Sequence, residues 1–100
     1  MKIEISKSNI KNKKFKIVLF YDNKTKTIHV GQSGANDFTL TGDEEAKKRY
    51  IERHKKREDW NKSGINTAGF WAKNLLWNKR TLKSSINDIE KRFNLDIIYK

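Results

Sequence analysis

A chain of 100 residues with 23 Lys and Arg against 12 Asp and Glu carries a formal net charge of +11, so a polyanion is the first partner to consider. This length accommodates one hydrophobic core and excludes a second. The chain has no cysteine, which excludes disulfides and thiolate metal sites, and His29 and His54 could hold zinc only together with carboxylates. We therefore predict no metal site and no cofactor.

The amino-terminal part of the chain predicts an antiparallel sheet. Apolar side chains alternate in KIEIS at 2–6 and in KFKIVLFY at 14–21, which is the period of a strand with one buried face. The turn residues DNKTK at 22–26 are followed by the β-branched run TIHVGQ at 27–32. Residues 14–32 are therefore predicted to form a hairpin.

The segment after residue 40 predicts a helix with two different faces. TGDE at 41–44 matches a capping box with Thr41 as the N-cap, and the helix is expected to run to about residue 57. Its apolar arc is formed by Ala46, Tyr50, Ile51 and His54. The opposite side carries the cations Lys48, Arg49, Arg53, Lys55 and Lys56.

Two more helices and a strand are predicted to follow. TAGFWAKNLLWNK at 67–79 is apolar on almost every side, so this helix is either enclosed or leaves an aromatic exposed. After Thr81 as N-cap, apolar residues recur at helical spacing as far as a left-handed residue at Asn94. These residues are Leu82, Ile86, Ile89 and Phe93. LDIIYK at 95–100 is predicted to be a last strand of the sheet.

Together these elements predict one α+β domain over residues 1–100, in which a small antiparallel sheet packs against three short helices. The hairpin region is expected at 1–34, the three-helix region at 41–94 and the C-terminal strand at 95–100. In a chain this small, tryptophans contribute the most buried area per residue. Which of the three tryptophans are core and which are surface stays open.

The one-sided basic helix favours phosphate binding, because cations on one helix face neutralise successive phosphates and release condensed counterions. The predicted contacts are Lys48, Arg49, Arg53, Lys55 and Lys56, with Arg80 and Lys83 as secondary candidates. Alternatively, these cations are ordinary helix formers on a solvated face, with neighbours such as Glu52. The charge of the whole chain decides in favour of phosphate binding.

One part of the sequence resembles the second half of the GIY-YIG nuclease pattern. TIHVGQSG at 27–34 and RYIERHKK at 49–56 would correspond to its strand, glycine turn and helix with Arg and His. KFKIVLFY lacks the glycine of the first strand motif, His29 stands where the second tyrosine belongs, and Glu90 is a distant candidate for the glutamate. Hydrolysis is therefore a third hypothesis, and no catalytic residue is predicted.

Four segments of the sequence resemble a family of small basic uncharacterised proteins encoded by large DNA viruses of protists and algae and by some phages. The segments lie in order over residues 28–97 and read IHVGQSGANDFT, GDEEAKKRYIERHKKREDW, TAGFWAKNLLWNK and LKSSINDIEKRFNLDI. The resemblance implies a viral origin and incorporation into particles. It implies no activity and no functional residues for this chain. The amino-terminal strands are the part of the sequence that differs most from the family.

The sequence thus predicts a sequence-nonspecific nucleic-acid-binding protein of a large DNA virus, which contacts duplex DNA through phosphates and helps to condense or package the genome. The alternative is a minor structural or cementing virion protein that binds other proteins. The amino-terminal apolar run is too short for a signal sequence or a membrane span. We expect no membrane partner and no secretion, with the protein in the virion, the viral factory, or the host cytoplasm or nucleus.

Overall fold

The computed structural model, which describes residues 1–100, contains one mixed four-stranded sheet. The strands are β1 (Lys2–Lys7), β2 (Lys13–Phe20), β3 (Thr25–Gln32) and β4 (Asp96–Tyr99). Their order in the sheet is β3-β2-β1-β4. β1, β2 and β3 pair antiparallel, and β4 lies parallel to β1. The predicted α+β fold, with its hairpin and its C-terminal strand, is confirmed.

Four short helices cover one face of the sheet. They are α1 (Phe38–Thr41), α2 (Glu44–His54), α3 (Ala68–Trp71) and α4 (Leu82–Phe93). A 3-10 turn, Lys62–Gly64, precedes α3, and α3 continues as a π-helical turn, Ala72–Leu76. None of these helices has the length and hydropathy needed to cross a bilayer.

The cap at the start of α2 differs from the prediction. Asp43, not Thr41, is the N-cap, because its carboxylate accepts the amide of Ala46 over 3.1 Å. Thr41 Oγ1 accepts the amide of Asp43 instead. A carboxylate next to the first turn satisfies the free amides there and complements the helix dipole. α2 also ends at His54, about one turn before the predicted end.

α1 was not predicted as a separate helix. Asp37 caps it by accepting the amide of Thr39, and Gly42, with φ of 65°, ends it in the left-handed conformation. Asp37 is 2 % exposed, and its Oδ2 lies 2.6 Å from Lys14 Nζ of β2. A carboxylate buried this deeply needs such a partner, so the ion pair fixes α1 to the sheet.

The π-helical turn explains how the apolar segment at 67–79 is accommodated. It buries Asn74 together with Leu75 and Leu76. Asn74 Nδ2 donates to the Phe70 carbonyl over 3.0 Å, and its Oδ1 accepts from Arg92 Nη2 over 2.7 Å. The prediction of one regular helix here is wrong in its second half, because periodicity does not reveal an amide that inserts into the core.

The core forms where the sheet meets the helices. The sheet contributes Ile3, Ile5, Ile17, Leu19, Ile28 and Val30. The rest of the chain contributes Ile65, Phe70, Trp71, Leu75, Leu76, Ile86, Ile89 and Leu95. Trp71 is fully buried, and its Nε1 donates to the Ile65 carbonyl over 2.8 Å. Trp60 and Trp77 are half-buried, so Trp71 is the tryptophan of the core.

Candidate nucleic-acid interface

The outer face of α2 and the turn after it carry the five predicted phosphate contacts, all of them exposed. Two are paired with acids on the same face. Lys48 Nζ lies 3.9 Å from Glu45 Oε1, and Lys55 Nζ lies 3.0 Å from Glu52 Oε1. Exposed pairs of this kind add little stability, but the carboxylates lower the local positive potential. Lys48 and Lys55 are therefore weaker candidates than the sequence indicated.

Arg49, Arg53 and Lys56 have no such partner. No carboxylate oxygen lies within 4.0 Å of their side-chain nitrogens. Arg49 and Arg53 are about one turn apart on α2, so they project from the same side of the helix, and Lys56 lies in the turn that follows. Arg57 follows them, with its Nη2 donating to the Arg53 carbonyl over 3.4 Å. These cations are free to bind phosphate oxygens, and the planar fork of arginine does so with two hydrogen bonds.

Arg80 and Lys83, the secondary candidates, differ from each other in the structure. Arg80 Nη1 donates to the carbonyls of Phe38 and Thr39 over 3.2 and 3.0 Å. Its guanidinium lies so close to Gly42 that a Cβ there would be 2.5 Å from Nε. Arg80 therefore holds α1 against the start of α4, whereas Lys83 is exposed and has no ionic partner.

A second group of cations, which the sequence did not single out, lies where α2, the π-helical turn and α4 meet. It consists of Lys47, Lys73, Lys79 and Arg92. Lys47 Nζ donates to the Asn78 carbonyl over 2.6 Å. These residues come from four separate parts of the chain, so no spacing in the sequence identifies them as neighbours.

Three rings stack behind the outer face of α2. Tyr50 lies between His54, at a centroid distance of 4.3 Å, and Trp77, at 4.8 Å. His54 Nδ1 lies 2.9 Å from Glu58 Oε2. The predicted inward orientation of Tyr50 and His54 is confirmed. Trp77 uses one face of its ring in this stack, which leaves at most the other for a ligand.

Burial raises the pKa of Tyr50 well above the ordinary value, and the negative charge of Glu58 raises it further. The tyrosine has a pKa of about 10 in the unfolded chain. Its raised pKa in the folded chain contributes stability that is fully present when the pH is below about 10, and this stability is lost as the pH rises above that value. We expect the free energy of unfolding of Tyr50→Phe to decline less at alkaline pH than that of the wild type. Urea denaturation between roughly pH 8 and 11 tests this, and parallel declines in the two proteins would contradict it.

A pocket of about 410 Å³ lies between the end of β3, α2 and α3, within the size range of ligand sites. Its titratable lining consists of Lys13, Lys14, His29, Asp37, Tyr50, His54 and Glu58. The carboxylate of Glu58 orients His54, as in many general bases. Charges of both signs line the pocket. It therefore favours an anion less than the outer face of α2 does, and less than the second group of cations.

Of the residues named for the nuclease alternative, His29 and His54 line the same pocket, and Glu90 is not part of its lining. His29 Nδ1 is 2.8 Å from Ser8 Oγ, and Glu90 Oε2 accepts the amide of Ile97 over 3.0 Å. Glu90 thus holds the entry of β4 against α4. No group of three or more His, Cys, Asp or Glu side chains is arranged to hold a metal ion. His29 and His54 therefore share a pocket in which no metal-binding group is found, and hydrolysis stays a hypothesis.

Comparison with known proteins identifies a family. The model of a family of unknown function, DUF5754, matches residues 3–54, which is just over half of the chain. The chain belongs to this family. The DUF5754 match spans β1 to α2 and includes the amino-terminal strands. It contains Arg49 and Arg53 but ends before Lys56 and Lys73. No curated protein and no solved structure matches the chain.

Proposed function

We propose that this DUF5754 protein binds nucleic acid without sequence specificity, through the backbone phosphates. The observation that supports this most is the number of cations without an ionic partner. Only six of the 23 Lys and Arg side chains lie within 4.0 Å of a carboxylate oxygen. Arg49, Arg53 and Lys56 are the best placed of the others, because the two arginines project from one side of α2 and Lys56 is exposed in the turn after it.

The physical basis of the proposed binding is counterion release. Each phosphate of duplex DNA that a cation neutralises frees about 0.9 of a condensed monovalent ion, so affinity falls as salt rises. Contacts of this kind fix the position of the protein on the backbone without reading bases. The viral resemblance adds a context in which the protein condenses or packages the genome of a large DNA virus, in the virion or at the site of its assembly.

Salt dependence of DNA binding tests the proposal. We expect log K for a random duplex to fall linearly with log[salt], with a slope of about −3 or steeper, between roughly 50 and 300 mM salt. Duplexes of different sequence should bind with the same affinity. Fluorescence anisotropy with end-labelled DNA gives both results. A flat salt dependence would exclude phosphate neutralisation, and a strong preference for one sequence would exclude nonspecific binding.

A structural role in the virion is the second candidate. Leu40 is 63 % exposed, and Ile98 and Tyr99 of β4 are 39 and 49 % exposed. Apolar side chains at a sheet edge suit a protein partner, whereas the buried Trp71 cannot be an anchor in such an interface. Co-assembly with a capsid protein that survives nuclease treatment would favour this role, and its loss on nuclease treatment would favour nucleic-acid binding.

A further inference from the structure

Two members of the cationic group at the junction of α2, the π-helical turn and α4 donate hydrogen bonds to neutral groups. Lys47 Nζ donates to the Asn78 carbonyl over 2.6 Å. Arg92 Nη2 donates to Asn74 Oδ1 over 2.7 Å, and its guanidinium carbon lies 4.8 Å from the centre of the Phe93 ring. Lys47 is thus fixed by a contact that leaves its positive charge uncompensated, whereas Arg92 is also paired with Asp88.

One carboxylate belongs to this junction, and it is already engaged. Asp88 Oδ2 accepts from Arg92 Nε over 2.8 Å and from Asn78 Nδ2 over 2.7 Å. Partial burial raises the pKa of Asp88, but these hydrogen bonds and the positive charge of Arg92 outweigh it, so the pKa lies below its ordinary value. Four cations thus share a single acid, so the junction keeps an excess of positive charge.

Lys73 is a half-buried cation of this group without an ionic partner. Its side chain is half-buried, with Nζ 5.5 Å from the centre of the Trp60 ring, and no carboxylate lies within 4.0 Å of it. Burial lowers the pKa of Lys73, and the positive charges of Arg92, Lys47 and Lys79 lower it further, against the attraction of Asp88. A half-buried ammonium beside three like charges costs free energy that an anion would recover.

We propose that Lys47, Lys73, Lys79 and Arg92 form a binding site for a phosphate group. A phosphate offers several acceptor oxygens to ammonium groups that approach from different sides, and charge-assisted hydrogen bonds to it are the strong ones. Arg92 Nη1 is free for such a bond, since Nε and Nη2 are used. A backbone phosphate and a free phosphate share this chemistry; where the phosphate is that of DNA, the inference rests on the proposed function.

The melting temperature of a Lys73 variant distinguishes a phosphate-binding site from a group of cations that only stabilises the fold. If the contact of Lys73 with Trp60 held the fold together, Lys73→Gln would lower the melting temperature. If the junction is poised for an anion, the same substitution relieves repulsion and raises the melting temperature in buffer without phosphate. Lys24→Gln is the matched control, because Lys24 is exposed in the turn between β2 and β3 and belongs to no proposed site.

The first arm of the experiment uses inorganic phosphate against chloride at equal ionic strength. We expect phosphate to raise the melting temperature of the wild type and of Lys24→Gln, and to raise that of Lys73→Gln much less. The general stabilisation by phosphate is common to all three proteins and cancels in this comparison. An equal response of the three proteins, or a lower starting melting temperature for Lys73→Gln, would overturn the proposed site.

The second arm uses duplex DNA and identifies the source of the phosphate. We expect Lys73→Gln to weaken binding about tenfold and Lys24→Gln at most about twofold. If both variants weakened DNA binding equally while the phosphate response still required Lys73, the site would bind a free phosphate. That result would contradict a role of the site in DNA binding. Absence of salt-dependent DNA binding with an intact phosphate response would overturn the proposed function and leave the site standing.

Discussion

Replacing Trp71 with alanine is expected to lower the free energy of unfolding by about 3 to 5 kcal/mol. The ring is fully buried among the helices and the sheet, and its loss leaves a cavity that the surrounding core fills only in part. The Ile65 carbonyl also loses the Nε1 donor that lies 2.8 Å away. The total free energy of unfolding of a native domain is about 5 to 15 kcal/mol, so this one substitution removes a large share of it.

Urea denaturation followed by circular dichroism measures the change. Trp71→Phe keeps most of the ring and removes the hydrogen bond, so its cost should be intermediate, and it gives a reading even if the alanine variant does not fold. Trp60→Phe, at a half-buried position, should cost less than about 1 kcal/mol. Equal costs at Trp60 and Trp71 would contradict the assignment of Trp71 to the core.

Replacing Arg49, Arg53 and Lys56 together with glutamine is expected to make the salt dependence of DNA binding shallower by about 2 to 3 in slope. Affinity at roughly 100 mM salt should fall about 10- to 100-fold. These cations are exposed and unpaired, so the substitutions should leave stability within about 0.5 kcal/mol of the wild type. Anisotropy titrations at several salt concentrations measure the slope, and urea denaturation checks the fold.

A control variant with the same loss of charge shows whether DNA binding depends on the position of the cations or only on the net charge of the protein. Glutamine at Lys11, Lys24 and Lys91 also removes three exposed, unpaired cations, but these lie in two turns of the sheet and on α4. We expect its slope and affinity to stay close to those of the wild type. If both triple variants lost the same affinity, binding would depend on net charge alone, and α2 would not be the interface.

The strands and several helix ends could be predicted from sequence because their signals are local. Alternating apolar residues determine which face of β1 and β2 is buried, and Thr81 caps α4 as predicted. Asn94 takes the left-handed conformation, with φ of 54°, that ends α4. In each of these cases, residues within a few positions of one another fix the backbone.

What could not be predicted depends on partners that are distant in the sequence. Asp37 is buried against Lys14 of β2, and nothing near Asp37 in the sequence reveals that lysine. In the sequence, Arg80 resembles any other exposed cation. Only the fold shows that its guanidinium donates hydrogen bonds to the carbonyls of Phe38 and Thr39 in α1. Lys73 acquires its neighbours only when α2 and α4 pack beside the π-helical turn. The candidate site therefore had to be revised from tertiary contacts.

The parallel pairing of β4 with β1 has a kinetic consequence. Lys2 lies opposite Asp96, so the sheet is completed only when a loop containing nearly the whole described chain has closed. Such long-range pairing slows folding, because the entropy of loop closure is lost before the contacts form. Until then the outer edge of β1 presents unpaired amides and carbonyls, which can template pairing with another molecule. Refolding at low protein concentration should therefore give the higher yield.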